Sequence, residues 1–339
     1  MVATVLITGA SGLIGFRILI AALEAGYKVR YTARSHEKAQ LVASNQAVRK
    51  LAPGDRLVAA IIPDLTADGV FDSALDGVTH VIHAGSPVPK PTFEPITEVF
   101  QPTIKMASGL LQSALRTPSV RRVIITSSIV ANAGLIPGPD TVTASTRIPP
   151  SNMNPDISSF GSAMEGYVAG KIVEMHNTDE FVKTYKPHFT ISHVVPGYVF
   201  GRNELALDAT MMRTKNSSNN FLMFGMTGAE LPFPIHDVFA HIDDVAETHL
   251  RVTFDEACVG KDYGIATKVD YASIFDHVEK AFPKAVEAGV FKRGTVHPLP
   301  TSYDSSETQA LLGGRVKGFE SAVIDTAGQY LETLGIAKE

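Results

Sequence analysis

The chain has one cysteine, Cys258, so no intrachain disulfide can form and a cysteine-cluster zinc site is excluded. Such a chain suits a reducing compartment. It has no basic excess: 30 Lys and Arg stand against 35 Asp and Glu, without a block of like charge. That removes the electrostatic footprint of a nucleic-acid binder. No stretch approaches the ~18 consecutive apolar residues of a membrane span. Arg17 and Glu24 interrupt the most apolar early segment. The first residues show neither a basic leader nor a cleavage-like segment, so no signal peptide is expected. Together these absences predict a cytoplasmic protein with no nucleic-acid or membrane partner. With 339 residues, 45% of them apolar, the chain can bury a large core, as one α/β domain with an attached lobe or as two domains.

What is present is an alternating rhythm. Short apolar, β-branched runs at 4–8, 28–34, 56–62, 80–85, 121–128 and 189–195 read as strands. Helical stretches at 11–26, 35–51, 98–116 and 161–184 fall between them. Arg17 and Glu24 share one face of the first helix, expected to meet solvent, and Ser35 is the expected N-cap of the second. Strand and helix in repeated alternation predict an α/β, Rossmann-type, doubly wound parallel sheet covered on both faces. After Pro196 the rhythm breaks. Residues 203–235 are rich in Met, Phe, Asn and Ser, with 215–220 expected as an exposed loop, and a helix returns at 241–254. The expected division is 1–201 as the Rossmann domain, with 236–256 packing back on it, and 202–235 plus 257–339 as a smaller C-terminal lobe. The segment 134–160 carries five prolines, Pro137, Pro139, Pro149, Pro150 and Pro155, and reads as a long irregular loop.

Between the first strand and the first helix lies T-G-A-S-G-L-I-G, Thr8 to Gly15. The physics is that of a dinucleotide fingerprint. Gly9 allows the tight turn, Gly12 lets the backbone approach a pyrophosphate, and Gly15 lets the helix pack close to the sheet. Ser11, Leu13 and Ile14 complete the candidate contacts. The spacing is G-x-x-G-x-x-G and not G-x-G-x-x-G, so the stretch taken alone also reads as a structural turn.

At the end of the second strand an NAD-preferring fold places an acid for the ribose hydroxyls. Here Thr32 and Ala33 stand there, followed by Arg34 and, four residues on, Lys38. A guanidinium pairs with a 2′-phosphate that a carboxylate would repel, so NADPH is expected over NADH. Asp64, with Leu65, follows the third strand, where its carboxylate can take the adenine amino group or simply close a turn. Ala84, Gly85 and Ser86 end the fourth strand with side chains small enough for a cofactor to pass.

Nine tyrosines occur, and only Tyr167 has a lysine four residues on, Lys171. At that spacing both side chains share one helix face. Reduction of a carbonyl needs a proton at oxygen as hydride reaches carbon. A free phenol titrates near pH 10, and a neighbouring ammonium brings it towards neutrality. The same ammonium can hold the nicotinamide ribose. A hydroxyl steadies the carbonyl oxygen as charge develops. Thr126, Ser127 and Ser128 offer one at a strand's C-terminal end, where α/β sites gather.

With these residues in this order the chain resembles the extended short-chain dehydrogenases/reductases. The stretches ARSHEK, PDL, HAGSP, RVIITSS, VVPGYVFG and HIDDVAETHL resemble the branch of dihydroflavonol 4-reductases and NADPH-dependent aldehyde, methylglyoxal and ketone reductases. The resemblance implies a catalytic set of Ser128, Tyr167 and Lys171. Ser127 would stand by the cofactor. Pro196, Gly197, Tyr198 and Val199 would line the nicotinamide, with backbone groups meeting its carboxamide. It also implies NADPH/NADP+ as cofactor and a substrate-binding role for the C-terminal lobe. The chain departs from its relatives in the helix after the fourth strand, where V-N-G is common and Lys105 and Met106 stand instead.

The expected activity is an NADPH-dependent carbonyl reductase with Tyr167 as proton donor. An NAD-dependent nucleotide-sugar epimerase or dehydratase, and a non-catalytic NADPH-sensing regulator, are the competing readings. The first is disfavoured by the missing acid after the second strand, the second by the Tyr/Lys pair. No metal site is assigned. His241, Asp243, Asp244 and His249 read better as a helix start, with Asp244 and Glu247 as an acidic capping pair, and His83 as a hydrogen-bonded core histidine. Met211, Met212, Met223 and Met226 read either as core or as an adaptable substrate wall. Few charges fall in 84–90, 129–160 and 202–235 beyond Arg147, Arg202, Glu204 and Arg213, so a small, neutral or apolar carbonyl compound is expected. The sequence allows a homodimer.

Overall fold

The computed structural model describes residues 3–149 and 159–337. Its strands are β1 (Thr4–Thr8), β2 (Lys28–Ala33), β3 (Leu57–Ile61), β4 (His80–His83), β5 (Arg122–Thr126), β6 (Thr190–Pro196), β7 (Tyr198–Phe200), β8 (Ile235–His236), β9 (Val238–His241), β10 (Tyr263–Ile265), β11 (Thr267–Lys268) and β12 (Pro298–Leu299). Seven of them form one sheet in the order β10-β6-β5-β4-β1-β2-β3. Every neighbouring pair in it is parallel. The order turns back at β1, whose neighbours are β2 and β4, so the crevice for a ligand opens beyond the C-terminal ends of β1 and β4. This is the doubly wound, Rossmann-type sheet that the alternation predicts.

The side-chain alternation of the strands builds two cores. Val5 and Ile7 of β1, Ile82 of β4 and Ile124 of β5 face helices α1 (Leu13–Glu24) and α9 (Ile242–Phe254). Leu6, Val81, Val123 and Ile125 face the other way, onto α4 (Gln101–Leu115) and Phe181 of α6 (Ala163–Tyr185). Each such side chain contributes about 2 kcal/mol by leaving water. Between α1 and α4 lie α2 (His36–Ala43) and α3 (Gln46–Leu51), and α5 (Val130–Ala133) follows β5. Helix α6 starts on a capping box that is legible in the sequence as S-x-x-E. The Ser162 hydroxyl accepts from Glu165 N–H at 3.3 Å, and the Glu165 carboxylate accepts from Gly161 N–H at 2.9 Å.

A separate apolar cluster contains Phe200, Met212, Leu222, Met223, Met226, Phe239, Phe275 and Tyr330. It includes α7 (Ala209–Thr214) and α8 (Asn219–Met226). Three of the four methionines are therefore core, and Met211 packs at its margin. Among the described residues no helix is long and apolar enough to cross a membrane.

Several expectations are corrected. The stretch 35–51 is two helices, because the Asn45 side chain accepts from Ala47 N–H at 2.9 Å and donates to Glu204 C=O at 2.8 Å, capping α3 where one helix would have run on. Residues 215–220 are not an exposed loop throughout: Asn216 and Asn219 are fully buried and bonded to Asn203 and Gly201. Arg17 does not face solvent with Glu24 alone. Its guanidinium reaches Asp243 at 2.6 Å and clamps α1 to α9. The acidic pair does not cap α9: His241 does, accepting from Asp243 N–H, while Asp244 accepts from Lys317 N–H and Glu247 pairs with Arg251. Strand β10 joins the large sheet although it comes from the stretch assigned to the lobe. Of the proline-rich loop, Pro150 and Pro155 lie outside the described residues.

Candidate active site

The loop between β1 and α1 has the geometry of an anion cradle. Gly9 takes φ +72°, and a Cβ there would lie 2.6 Å from the carbonyl oxygen of Ala84, so the two strand ends meet backbone to backbone. A Cβ on Gly15 would strike the Gly9 carbonyl. Gly12 is the N-cap of α1 and brings no side-chain acceptor, and the first turn, which holds Leu13 and Ile14, has no acidic residue. Its N–H groups are thus left for an exogenous anion. Two hydroxyls nearby, Ser86 Oγ after β4 and Ser127 Oγ after β5, are buried without a hydrogen-bond partner among the described residues. Orphaned donors at adjoining strand ends are what a polar ligand in this crevice would satisfy, so these residues fit a dinucleotide. Ser11 is exposed on the same loop.

At the β2 end, Thr32 and Ala33 are buried, whereas Arg34 and Lys38 are exposed and form no ion pair among the described residues. Ser35 caps α2 by accepting from Lys38 N–H at 3.2 Å. Asp64 is exposed, and one carboxylate oxygen accepts from Thr66 Oγ1 at 2.7 Å and Thr66 N–H at 2.8 Å, bonds that hold it below the usual carboxylate range. Its second oxygen has no partner among the described residues. Leu65 packs against the α4 side of the core.

Tyr167 and Lys171 lie on one face of α6. Gly166 lets that helix approach the π-helical turn Pro95–Phe100: a Cβ there would lie 2.5 Å from Pro95 C=O. The Lys171 side chain is buried, and its ammonium donates to the Thr126 carbonyl at 3.0 Å and to Glu174 Oε2 at 2.6 Å. The helix is in this way pinned to the C-terminal end of β5, from which Ser127 and Ser128 emerge. Ser127 N–H is fixed on Val194 C=O at 2.8 Å. Ser128 is half-buried, its carbonyl capping Ala131, and its hydroxyl bonds no described residue. Tyr167 packs beside Val130, Val168 and Ile172, and its hydroxyl likewise bonds no described residue. Burial, and then the nearby Tyr167 phenol, hold the Tyr198 phenol above its usual range. The structure thus brings Tyr167, Lys171 and Tyr198 together at the ends of β5 and β6.

Around them sit groups the sequence did not single out for this site. Thr8 Oγ1 and His83 Nδ1 are 2.8 Å apart, and Gly85 N–H donates to the same hydroxyl at 3.0 Å. Burial and the Lys171 ammonium push His83 down to about 3. His249, on α9, meets Thr126 Oγ1 at 2.8 Å and is pushed down to about 4 by burial. Both imidazoles are neutral at ordinary pH. Glu174 was also missed, although K-x-x-E on a helix is a readable ion-pair spacing. Lys105 is exposed on α4, and its charge is felt at Asp64. Of the backbone expected to meet a carboxamide, Gly197 N–H is bound to Ile265 C=O at 2.9 Å and Pro196 C=O to Ile129 N–H at 3.1 Å. The Val199 carbonyl in turn accepts from the Ser218 hydroxyl. Among the described residues no three His, Cys, Asp or Glu side chains converge as metal ligands.

Residues 5–266 match the NAD dependent epimerase/dehydratase family. The chain is 33% identical to the ketoreductase CTB6 of Cercospora nicotianae, over 97% of this chain and 95% of that one. It is 32% identical to the NAD-dependent epimerase/dehydratase ALT6 of Alternaria alternata, over 96% and 97%. A solved reductase structure, engineered to attenuate substrate inhibition in asymmetric catalysis, superposes with a TM-score of 0.82 at 26% identity, covering 98% of this chain and all of its own.

Proposed function

The chain belongs to the NAD dependent epimerase/dehydratase family, the extended short-chain dehydrogenases/reductases, and from that premise we propose that it is an NADPH-dependent carbonyl reductase. The observation that carries the reading is Lys171: a buried ammonium, one helical turn from Tyr167, bonded to the strand end that carries Ser127 and Ser128. A merely structural lysine would be expected at the surface.

In this reading the β1–α1 loop and the first turn of α1 hold the pyrophosphate, and Lys171 holds the nicotinamide ribose. Arg34 and Lys38, which have no carboxylate partner among the described residues, take the 2′-phosphate. When bound there, the cofactor would supply the hydride for the carbonyl carbon. Ser128 donates a hydrogen bond to the carbonyl oxygen and steadies its growing charge. Tyr167 gives that oxygen its proton, and the adjoining ammonium favours the phenolate left behind. The lobe of 202–235 and most of 257–339 would shape the substrate's surroundings. Two arginines near the crevice's outer segments are occupied elsewhere: Arg147 of the preceding loop pairs with Asp262 at 2.7 Å and with Asp179, and Arg202 of the lobe pairs with Glu332 at 2.6 Å. This supports a neutral, largely apolar aldehyde or ketone.

The test is to mix the protein with NADPH and a panel of aldehydes and ketones and follow absorbance of the reduced cofactor. Carbonyl-dependent oxidation is expected. No oxidation with any member defeats the reading, and NAD carried tightly through purification would favour an epimerase.

A further inference from the structure

Tyr167, Lys171 and Glu174 are spaced i, i+4 and i+7, so the three occupy one stripe of α6. Lys171 and Glu174 are sealed from solvent, with side chains 3% and 1% exposed, and their charges meet at 2.6 Å. The second carboxylate oxygen, Oε1, is buried with no partner among the described residues. An ammonium has three donors. One goes to Thr126 C=O and one to Glu174, so one remains for anything entering the crevice.

Among the described residues no other acid pairs with this ammonium, and Glu94 and Glu98 at the Pro95–Phe100 turn are exposed and bonded within that turn. His83 from β4 and His249 from α9 are uncharged. From β5 it meets a backbone carbonyl. From α4, Thr103 packs against Gly170 while Lys105 is exposed. α5 offers Asn132, whose amide is bound to Thr146 C=O, and β7 offers the Tyr198 phenol beside Tyr167. Glu174 is the one carboxylate at ion-pair distance from Lys171 among the described residues.

We propose that Glu174 is a positioning residue that acts through Lys171: it fixes the ammonium beneath the crevice, leaves it a single N–H for the cofactor ribose, and partly cancels its field at the Tyr167 phenol. The kinetic half of this rests on the reductase reading above. In Glu174→Gln the shape persists and the charge is gone. A buried ammonium without its counter-ion either gives up its proton more readily or, still charged, acts on the phenol unopposed. Reduction needs a charged Lys171 and a protonated Tyr167, and rising pH removes either. Both consequences therefore draw the alkaline limb of activity to lower pH.

The experiment measures kcat/KM against pH and, separately, the NADPH dissociation constant by cofactor fluorescence at pH 6 and pH 9, for the wild type, Glu174→Gln and Glu174→Asp. In Glu174→Gln the alkaline limb is expected about one pH unit lower, and NADPH binding about ten-fold weaker at pH 9 than at pH 6 while the wild type changes less than about three-fold. Glu174→Asp, which keeps the charge on a shorter stem, should shift in the same direction by less, and it carries the test if the Gln variant fails to fold. A limb and a pH dependence of binding that match the wild type in the folded variant overturn the proposal. If the wild type reduces no carbonyl, the reductase reading falls, and the binding measurement still decides the role of Glu174.

Discussion

Thr8 and His83 are register partners on β1 and β4, and their side chains close the gap at the point where the strand order turns back. The Thr8 hydroxyl accepts the Gly85 N–H at 3.0 Å and lies 2.8 Å from His83 Nδ1. One hydroxyl thus orders both loops that would flank a dinucleotide.

Thr8→Val keeps the shape and strands two buried partners. A loss of about 1–3 kcal/mol in unfolding free energy is expected, read from urea titration. NADPH binding should weaken as the Gly85 loop loosens. Unchanged stability would show that the hydroxyl is dispensable.

Gly166→Ala forces a methyl towards Pro95 C=O, where 2.5 Å is available. Helix α6 must shift, and Tyr167 and Lys171 move with it. Because misplacement of a reacting group by about 1 Å can cost about a hundred-fold in rate, kcat should fall steeply while the far-ultraviolet spectrum stays native. Wild-type kcat in the variant would mean that the close approach does not place the pair.

Arg34→Asp exchanges a guanidinium that has no ion pair among the described residues for a carboxylate at the β2 end. NADPH affinity should fall by about ten- to a hundred-fold, while NADH affinity stays level or improves. Fluorescence titration with both cofactors separates the outcomes, and equal weakening of the two would end the argument for a 2′-phosphate site.

Acid should destabilise the fold before its carboxylates titrate. His83 at about 3 and His249 at about 4 lie below the free imidazole value of about 6.5, so the unfolded chain takes up these protons first. Their contribution is complete above about pH 6.5 and is lost as pH falls from there. Burial alone would raise Asp243, but its bonds to Lys317 and Arg17 hold it at about 2, so its contribution disappears only below about pH 4. The urea midpoint should decline between pH 7 and pH 5 and more steeply beneath. A flat midpoint from pH 7 to pH 5 would contradict neutral burial of the two imidazoles.

What was legible in the sequence was what local periodicity encodes. The strands of the first half alternate Val5, Leu6 and Ile7 across two faces, and the glycine spacing and the Tyr167/Lys171 spacing are set by one turn or one helix. What was not legible depends on partners far along the chain. Asn45 breaks a helix because Glu204 C=O is waiting, and Arg17 leaves solvent because Asp243 arrives on α9. Asn216 and Asn219 look like loop residues, yet they are buried because Asn203, Gly201 and each other meet their hydrogen-bonding needs. Strand β10 is three residues long and was hidden within the irregular tail. At the site, the Lys171 stem could be aligned with Tyr167, but its bond to Thr126 is tertiary.

The central claim is that the Tyr167 hydroxyl delivers a proton to a carbonyl oxygen. Its most direct test compares wild type with Tyr167→Phe for NADPH oxidation by a carbonyl that the wild type reduces, together with NADPH binding by fluorescence. Turnover lower by about 10²–10⁴-fold, with the dissociation constant within a few-fold, is the predicted result. A phenylalanine variant that reduces the same compound at the wild-type rate would contradict it.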